Sequence, residues 1–369
     1  IAVPQLLRVP DLNYLAFDYL GEGAMGLFRQ MKVADPNSGF LPDFVNLHVG
    51  PYLAELKTRN IKVVTNAGGM NPEGLAEMIR QRGRDMGLEI RVATVTGDDN
   101  EAMAPQLRAE GLRDMFNGMA LPDEGLGAVN AYLGAFPIAA ALAAGADMVI
   151  TGRVVDSALM LGPLIHEFGW GPQDYDLLAA GTTAGHLLEC GAQVSGGYYA
   201  DPGFKDVPDL ARVGFPLAEV DADGSAVITK LPGTGGRVDR LSCTAQLLYE
   251  VEDPARYLQA DVVGDFSQVR FEELSSDRVR VQGASGQPRP DQLKVTLGYC
   301  DGFIGEGQIS YAGPGARARG ELALSILRQR LQDATLPHGL TGCEHRAELM
   351  EDWNLCQAKQ QPKKIQPLE

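Results

Sequence analysis

In GHLLECG (185–191), His186, Glu189 and Cys190 stand at i, i+3 and i+4, a spacing that sets an imidazole, a carboxylate and a thiol on one face of a helix. Such a face can activate the thiol through the imidazole, pass a proton between ring and carboxylate, or bind a metal. Metal binding needs further ligands, and no second His or Cys pair stands at a suitable spacing. A buried, inert thiol is the plain alternative for Cys190, so His186 is the better acid or base. The following GAQVSGGYYADPG is a glycine-rich segment that offers Tyr198 to a substrate. Upstream, TGRVVDS places Arg153 and Asp156 at i, i+3 around a helix start. Either Arg153 clamps a carboxylate or phosphate while Asp156 shares in proton transfer, or the two residues pair with each other. His166 reads as a core or helix-end residue. Asp98 and Asp99 in TGDDN either hold a hydrated Mg²⁺, which with His186 would make a metal-assisted lyase, or form a solvated helix cap.

A second set of residues suits anion binding. TNAGGMNP (65–72) lies between the apolar IKVV and the helical EGLAEMIRQRGRDMG, with Asn71 as N-cap and Pro72 at the first helical position. Gly68 and Gly69 either make the turn possible or let a ligand reach the backbone beside a helix N-terminus, with Thr65, Asn66 and Asn71 around it. KLPGTGGRVDR repeats the arrangement: Gly233, Gly235 and Gly236 expose N–H groups, Thr234 adds a hydroxyl and Arg237 a cation. A third corner holds Gly313, Gly315 and Arg317. A plain turn is the alternative at each. No corner carries GxGxxG or GK[ST], so ATPase and simple dinucleotide-fingerprint readings lose support. Glycine corners followed by Arg suit an acidic or phosphorylated ligand, such as a coenzyme A thioester.

The elements that must hold these residues follow from periodicity. Strand-length apolar runs alternate with helical patterns through the first half, from LNYLAFDYL to VDSALMLGPLIHEFGW. This predicts an α/β fold, a mostly parallel sheet with helices on both faces. Ligands then sit at the carboxyl ends of strands, where FDYLGEG, TNAGGMN, TVTGDDN and TGRVVDS would converge. Past residue 200 the pattern changes to extended runs with two inserted helices: a hairpin across ADG (222–224), then DVVGDFSQVRFEEL, DRVRVQG, QLKVTLGYC and GQISYAG. GASGQPRPD (283–291) reads as a mobile hairpin loop. The expected organisation is a Rossmann-like α/β domain over 1–205, a smaller α+β domain over 206–332, and a tail over 333–369.

The chain's 369 residues, 45% of them apolar, suffice for such a layout. With 32 Lys and Arg against 48 Asp and Glu, the net charge of −16 excludes nucleic acid and anionic membrane surfaces as main partners. The longest apolar stretches are too short to span a bilayer. Five scattered cysteines point to reduced thiols in the cytoplasm. The start IAVPQ suggests processing or a missing beginning, and KKIQPLE an appended tail. A closed homo-oligomer is expected of a large α/β protein.

With TNAGGMNP, ITGRVVDSALMLGPLIHEFGW, GHLLECGAQVSGGYYADPG, KLPGTGG and DGFIGEGQISYAGPGA in this order, residues 10–332 resemble the acyclic terpene utilisation family, the AtuA-type proteins. Many members carry a Gly-rich strand before the FDYL-type strand, and others a ferredoxin-like domain after the final helix; the sequence shows neither. The resemblance implies a place in the breakdown of citronellol, geraniol and related branched acids as coenzyme A thioesters, and no particular reaction. The expected protein is an enzyme acting on a branched acyl-CoA or hydroxy acid by hydration, dehydration or hydrolysis. No redox cofactor is implied, coenzyme A entering as part of a small acidic substrate. The alternative is a non-catalytic subunit or scaffold of an acyl-CoA-processing complex.

Overall fold

The computed structural model describes residues 2–21, 23–122, 125–299 and 306–333. The chain starts with α1 (Ala2–Leu6), β1 (Tyr14–Phe17) and α2 (Ala24–Ala34). A π-helical stretch, Phe44–Val49, and α3 (Leu53–Thr58) lead to β2 (Lys62–Thr65), α4 (Pro72–Asp85), β3 (Val92–Val95) and α5 (Ala104–Ala109). Then come β4 (Leu126–Ala131), α6 (Phe136–Ala143), β5 (Met148–Thr151), α7 (Ala158–Phe168) and α8 (Tyr175–Glu189). The later part holds β6 (Pro216–Val220), β7 (Ala226–Lys230), α9 (Arg240–Leu247), β8 (Tyr257–Leu258), β9 (Val262–Asp265), β10 (Arg270–Ser275), β11 (Arg278–Gln282), β12 (Ser285–Pro288), β13 (Val295–Tyr299) and α10 (Ala316–Asp333). Ile1–Asp301 form one compact unit and Gly302–Glu369, which contains α10, a second.

Four parallel strands in the order β1-β2-β5-β3 make the central sheet. Side chains alternate across it. Val64 and Val149 face one side, packed with Ile138, Leu159 and Leu178 of α6, α7 and α8. Val63, Met148 and Ile150 face the other, packed with Phe44, Leu75 and Ile79. The molecule is thus α/β, with helices covering both faces of this sheet. Pairing turns antiparallel after residue 200: β10-β11-β7-β6 form one sheet and β12-β9-β8 another, while β13 pairs with β4. The β6–β7 hairpin turns over Asp221–Gly224, where Gly224 takes φ +84°. Asp239 opens α9 with a capping box, accepting from Ser242 N.

Two expectations change. GASGQPRPD is not a loop throughout, because Ser285–Pro288 pair in register with Asp265–Val262 as β12. GQISYAG, expected as an extended run, contains no strand. The expected tail lies outside the described residues from position 334.

Candidate active site

A cleft of about 1670 Å³ opens beside the carboxyl end of β1. Its floor is β1 and the residues after it, Asp18 to Gly21; one wall is α7 through Leu159, Met160, Pro163 and Leu164; another is β6 with Phe215. The end of α8 brings Glu189 and Cys190, the next segment Tyr198, the start of α7 Asp156, and the chain after α9 Tyr249 and Glu250. The α7 and α8 helices meet closely because Gly185 has no side chain: a Cβ there would stand 2.7 Å from the Ser157 carbonyl. That contact helps to set Glu189 and Asp156 on one cleft.

The expected helical face forms. His186 is 1% exposed, and its Nδ1 lies 2.7 Å from Glu189 Oε1. Its ring stacks on Phe266 and tilts against Tyr257, and Gln246 Nε2 donates to its backbone carbonyl at 3.0 Å. His186 Nε2 and Glu189 Oε2 are buried without a hydrogen-bond partner from the protein. Burial raises the Glu189 carboxyl pKa, against the hydrogen bond from His186 that favours the charged form. Cys190 caps the end of α8, and burial pushes its thiol up to about 11. At neutral pH that thiol is almost wholly protonated and a poor nucleophile.

Arg153 is the largest fully buried side chain of the molecule's described part. It donates to the carbonyls of Leu20 and Val154 and to Asp156, and it lies over the Tyr132 ring. The guanidinium therefore holds the β1 end and the α7 start together, which is the pairing alternative. Asp18 is held by Asn66 Nδ2 at 2.6 Å and Leu20 N at 3.2 Å. Burial raises its pKa, opposed by Asn66, Arg153 and Leu20, with Glu250 adding to the rise. On the same cleft the Tyr19 hydroxyl shares a hydrogen bond with His48 Nδ1.

The glycine corners lie elsewhere. None of Thr65, Asn66, Gly68, Gly69 and Asn71 lines the cleft, although Asn66 reaches it through Asp18. Thr65 and Asn66 are wholly buried. Asn71 caps α4, accepting from Gly74 N at 3.0 Å. A Cβ on Gly68 would meet the Thr151 carbonyl at 2.5 Å, and Gly69, at φ +50°, packs against Gly39 and the Phe28 ring. Both glycines are therefore needed for the packing of the turn. At the second corner, Gly235 N, Gly236 N and Arg237 N donate to the carbonyls of Arg212, Pro208 and Ser195, and Thr234 Oγ1 donates to Leu231 O. Gly233 takes φ +78°, and Arg237 pairs with Asp239 and the Asp206 carbonyl. The amides of Gly235, Gly236 and Arg237 thus hold the 195–213 segment. Asp98 accepts from Arg153 N and Asn130 Nδ2, both at 2.9 Å. Among the described residues no group of three or more His, Cys, Asp or Glu is placed to hold a metal, and no helix is long and apolar enough to cross a membrane.

A model of the acyclic terpene utilisation family protein AtuA matches residues 1–362. The chain belongs to the AtuA family. The match extends beyond the 10–332 stretch that carries the motifs, and it associates this AtuA-family chain with acyclic terpene utilisation. No curated protein and no solved structure matches it.

Sequence reasoning missed Asp18, Tyr19, His48, Tyr249 and Glu250 on the cleft of this AtuA-family protein. The unusual strand end FDYLGEG was a signal for Asp18 and Tyr19. Nothing local marks Glu250 or His48, which reach the cleft only through the fold.

Proposed function

We propose that this AtuA-family protein is a cytoplasmic, homo-oligomeric enzyme of branched, acyclic terpenoid acid breakdown. It hydrates, dehydrates or hydrolyses an acyl-CoA or hydroxy-acid substrate, with Glu189 transferring the proton and His186 orienting it. One observation carries this reading: a buried carboxyl has one oxygen on a buried imidazole and the other unpartnered, on the wall of a large cleft with mainly apolar walls. A carboxyl whose pKa is raised by burial keeps its proton more readily and can act as a general acid, and the proton it gives up is recovered with the help of the ring. Cleft volumes above the usual ligand-site range suit a long, branched chain.

The test uses purified protein, branched unsaturated acyl-CoA thioesters, and the variants Glu189→Gln and His186→Ala. Turnover should fall by about 10²–10⁴-fold in Glu189→Gln, with an unchanged circular dichroism spectrum. Full activity in that variant removes Glu189 from the mechanism. A second reading, a non-catalytic subunit of an acyl-CoA-processing complex, is favoured by the use of both glycine corners in packing. Native mass spectrometry separates the two, since a persistent hetero-complex without turnover of its own supports the subunit.

A further inference from the structure

The charge on the cleft wall narrows the substrate class of the site proposed above, and the following inference rests on that reading. Among the described residues that line the cleft there is no lysine and no arginine, whereas seven acidic residues line it, among them Asp11, Glu167 and a Glu219 paired with Arg278. Asp18 follows β1, Asp156 precedes α7, Glu189 ends α8 and Glu250 follows α9. Arg153 is buried behind Asp156 and holds backbone carbonyls, and Arg278 is taken up by Glu219. An acidic cluster alone is no site, but here Glu189, a lining residue with a side chain only 8% exposed, has a buried oxygen with no hydrogen-bond partner from the protein. Between the acids the wall is hydrocarbon and aromatic, from Leu159, Met160 and Leu164 to Phe17 and Phe215. A carboxylate or phosphate placed inside would face like charges in a poorly screened space. Of the amides expected to receive it, those of Gly69, Thr234, Gly235, Gly236 and Arg237 are bonded to protein carbonyls.

We propose that the cleft takes the branched hydrocarbon end of its substrate, leaves any carboxylate or phosphate of that substrate in solvent, and adds or removes water at a carbon–carbon double bond. In the hydration direction, Glu189 gives its carboxyl proton to one alkene carbon, and the π electron pair becomes the new C–H bond. The more substituted carbon is left positive, faced by the carboxylates of Asp18 and Glu250. A water oxygen forms the C–O bond, and its surplus proton passes to Asp18 and then, through solvent, back to Glu189. Alkene plus water gives a tertiary alcohol, and dehydration is the reverse. Thioester hydrolysis leaves the double bond untouched.

Calorimetric titration of the full chain with geraniol, geranate and free coenzyme A tests the charge preference. Geraniol should bind at least tenfold more tightly than geranate, coenzyme A alone should not bind, and Asp18→Asn with Glu250→Gln should narrow the gap. Geranate or coenzyme A binding the unaltered protein as tightly as geraniol overturns the proposal, whatever the double variant does. Turnover of geranyl thioester in heavy water should place deuterium on carbon. Free acid formed without carbon-bound deuterium overturns the water-addition step while leaving an active enzyme that depends on Glu189. Loss of all turnover, with the geraniol preference intact, removes the reaction and leaves the charge preference standing.

Discussion

The two ends of β5 treat carboxyl groups in opposite ways. Just before the strand, Asp147 receives Lys57 Nζ at 2.7 Å, Lys62 Nζ at 3.1 Å and Arg91 N at 2.9 Å. Burial alone would raise its pKa, but these donors and the Arg91 side chain together hold it well below the usual carboxylate range. Beyond the strand, Asp18, Asp98 and Glu189 are raised by burial that their hydrogen bonds only partly offset. One end of the sheet thus neutralises its acids with cations and gains stability. The other keeps its acids short of cations and in reserve for protons, an arrangement typical of working sites.

Substitutions can break or sharpen this contrast. The largest effect is expected at the acid-rich end, where Glu189→Gln should lose about 10²-fold or more in turnover and be no less stable than the parent at mildly alkaline pH. If it unfolds readily there, Glu189 is a structural residue and the contrast fails. Next come the packing glycines. Gly235→Ala drives a Cβ into the Asp209 carbonyl, and Gly68→Ala one to 2.5 Å from that of Thr151, so each should cost about 2–3 kcal/mol in urea unfolding. A fully stable Gly68→Ala that loses ligand binding would return that corner to the site. At the cation-rich end, Asp147→Asn should cost about 2 kcal/mol without altering the catalytic constant at low temperature.

Melting temperature against pH separates the ends further. The depressed pKa of Asp147 makes its contribution present above the unfolded aspartate range and lost as pH falls through its folded value. The raised pKa of Glu189 has the opposite sign: its contribution is present below the unfolded glutamate range and lost as pH rises through its folded value. Asp147→Asn should flatten the loss of stability as pH falls below the unfolded aspartate range, and Glu189→Gln the loss as pH rises above the unfolded glutamate range; the reverse assignment would refute the contrast. The smallest effect is expected for Cys190→Ser, within about threefold of full activity, because a thiol pushed up to about 11 is seldom ionised. Inactivation of the parent by iodoacetamide at neutral pH, prevented by this variant, would contradict that.

The alternation of β2, a glycine corner and α4 was legible because Asn71 and Pro72 mark the helix start and the apolar run marks the strand. The shared face of His186 and Glu189 was legible from spacing alone. What fills the glycine corners was not, since the Thr151 and Asp209 carbonyls arrive from distant parts of the chain. Asp18 could be suspected at its strand end, but its partner Asn66 lies 48 residues away. β4 escaped notice because LGAVNA lacks a strong apolar alternation, and it is held by pairing with β13. Short-range pattern reveals what each element is; the charge of a cavity depends on which elements meet.

β5 is only four residues long, so at about 3.3 Å per residue its anchored start stands roughly 13 Å from its own carboxyl end. Damage at Lys57, Lys62 or Arg91 would therefore surface in a crude-extract assay as missing activity, although none of the three touches the cleft wall. Cooling such a preparation should bring the signal back, whereas no change of temperature would revive one that has lost its proton donor.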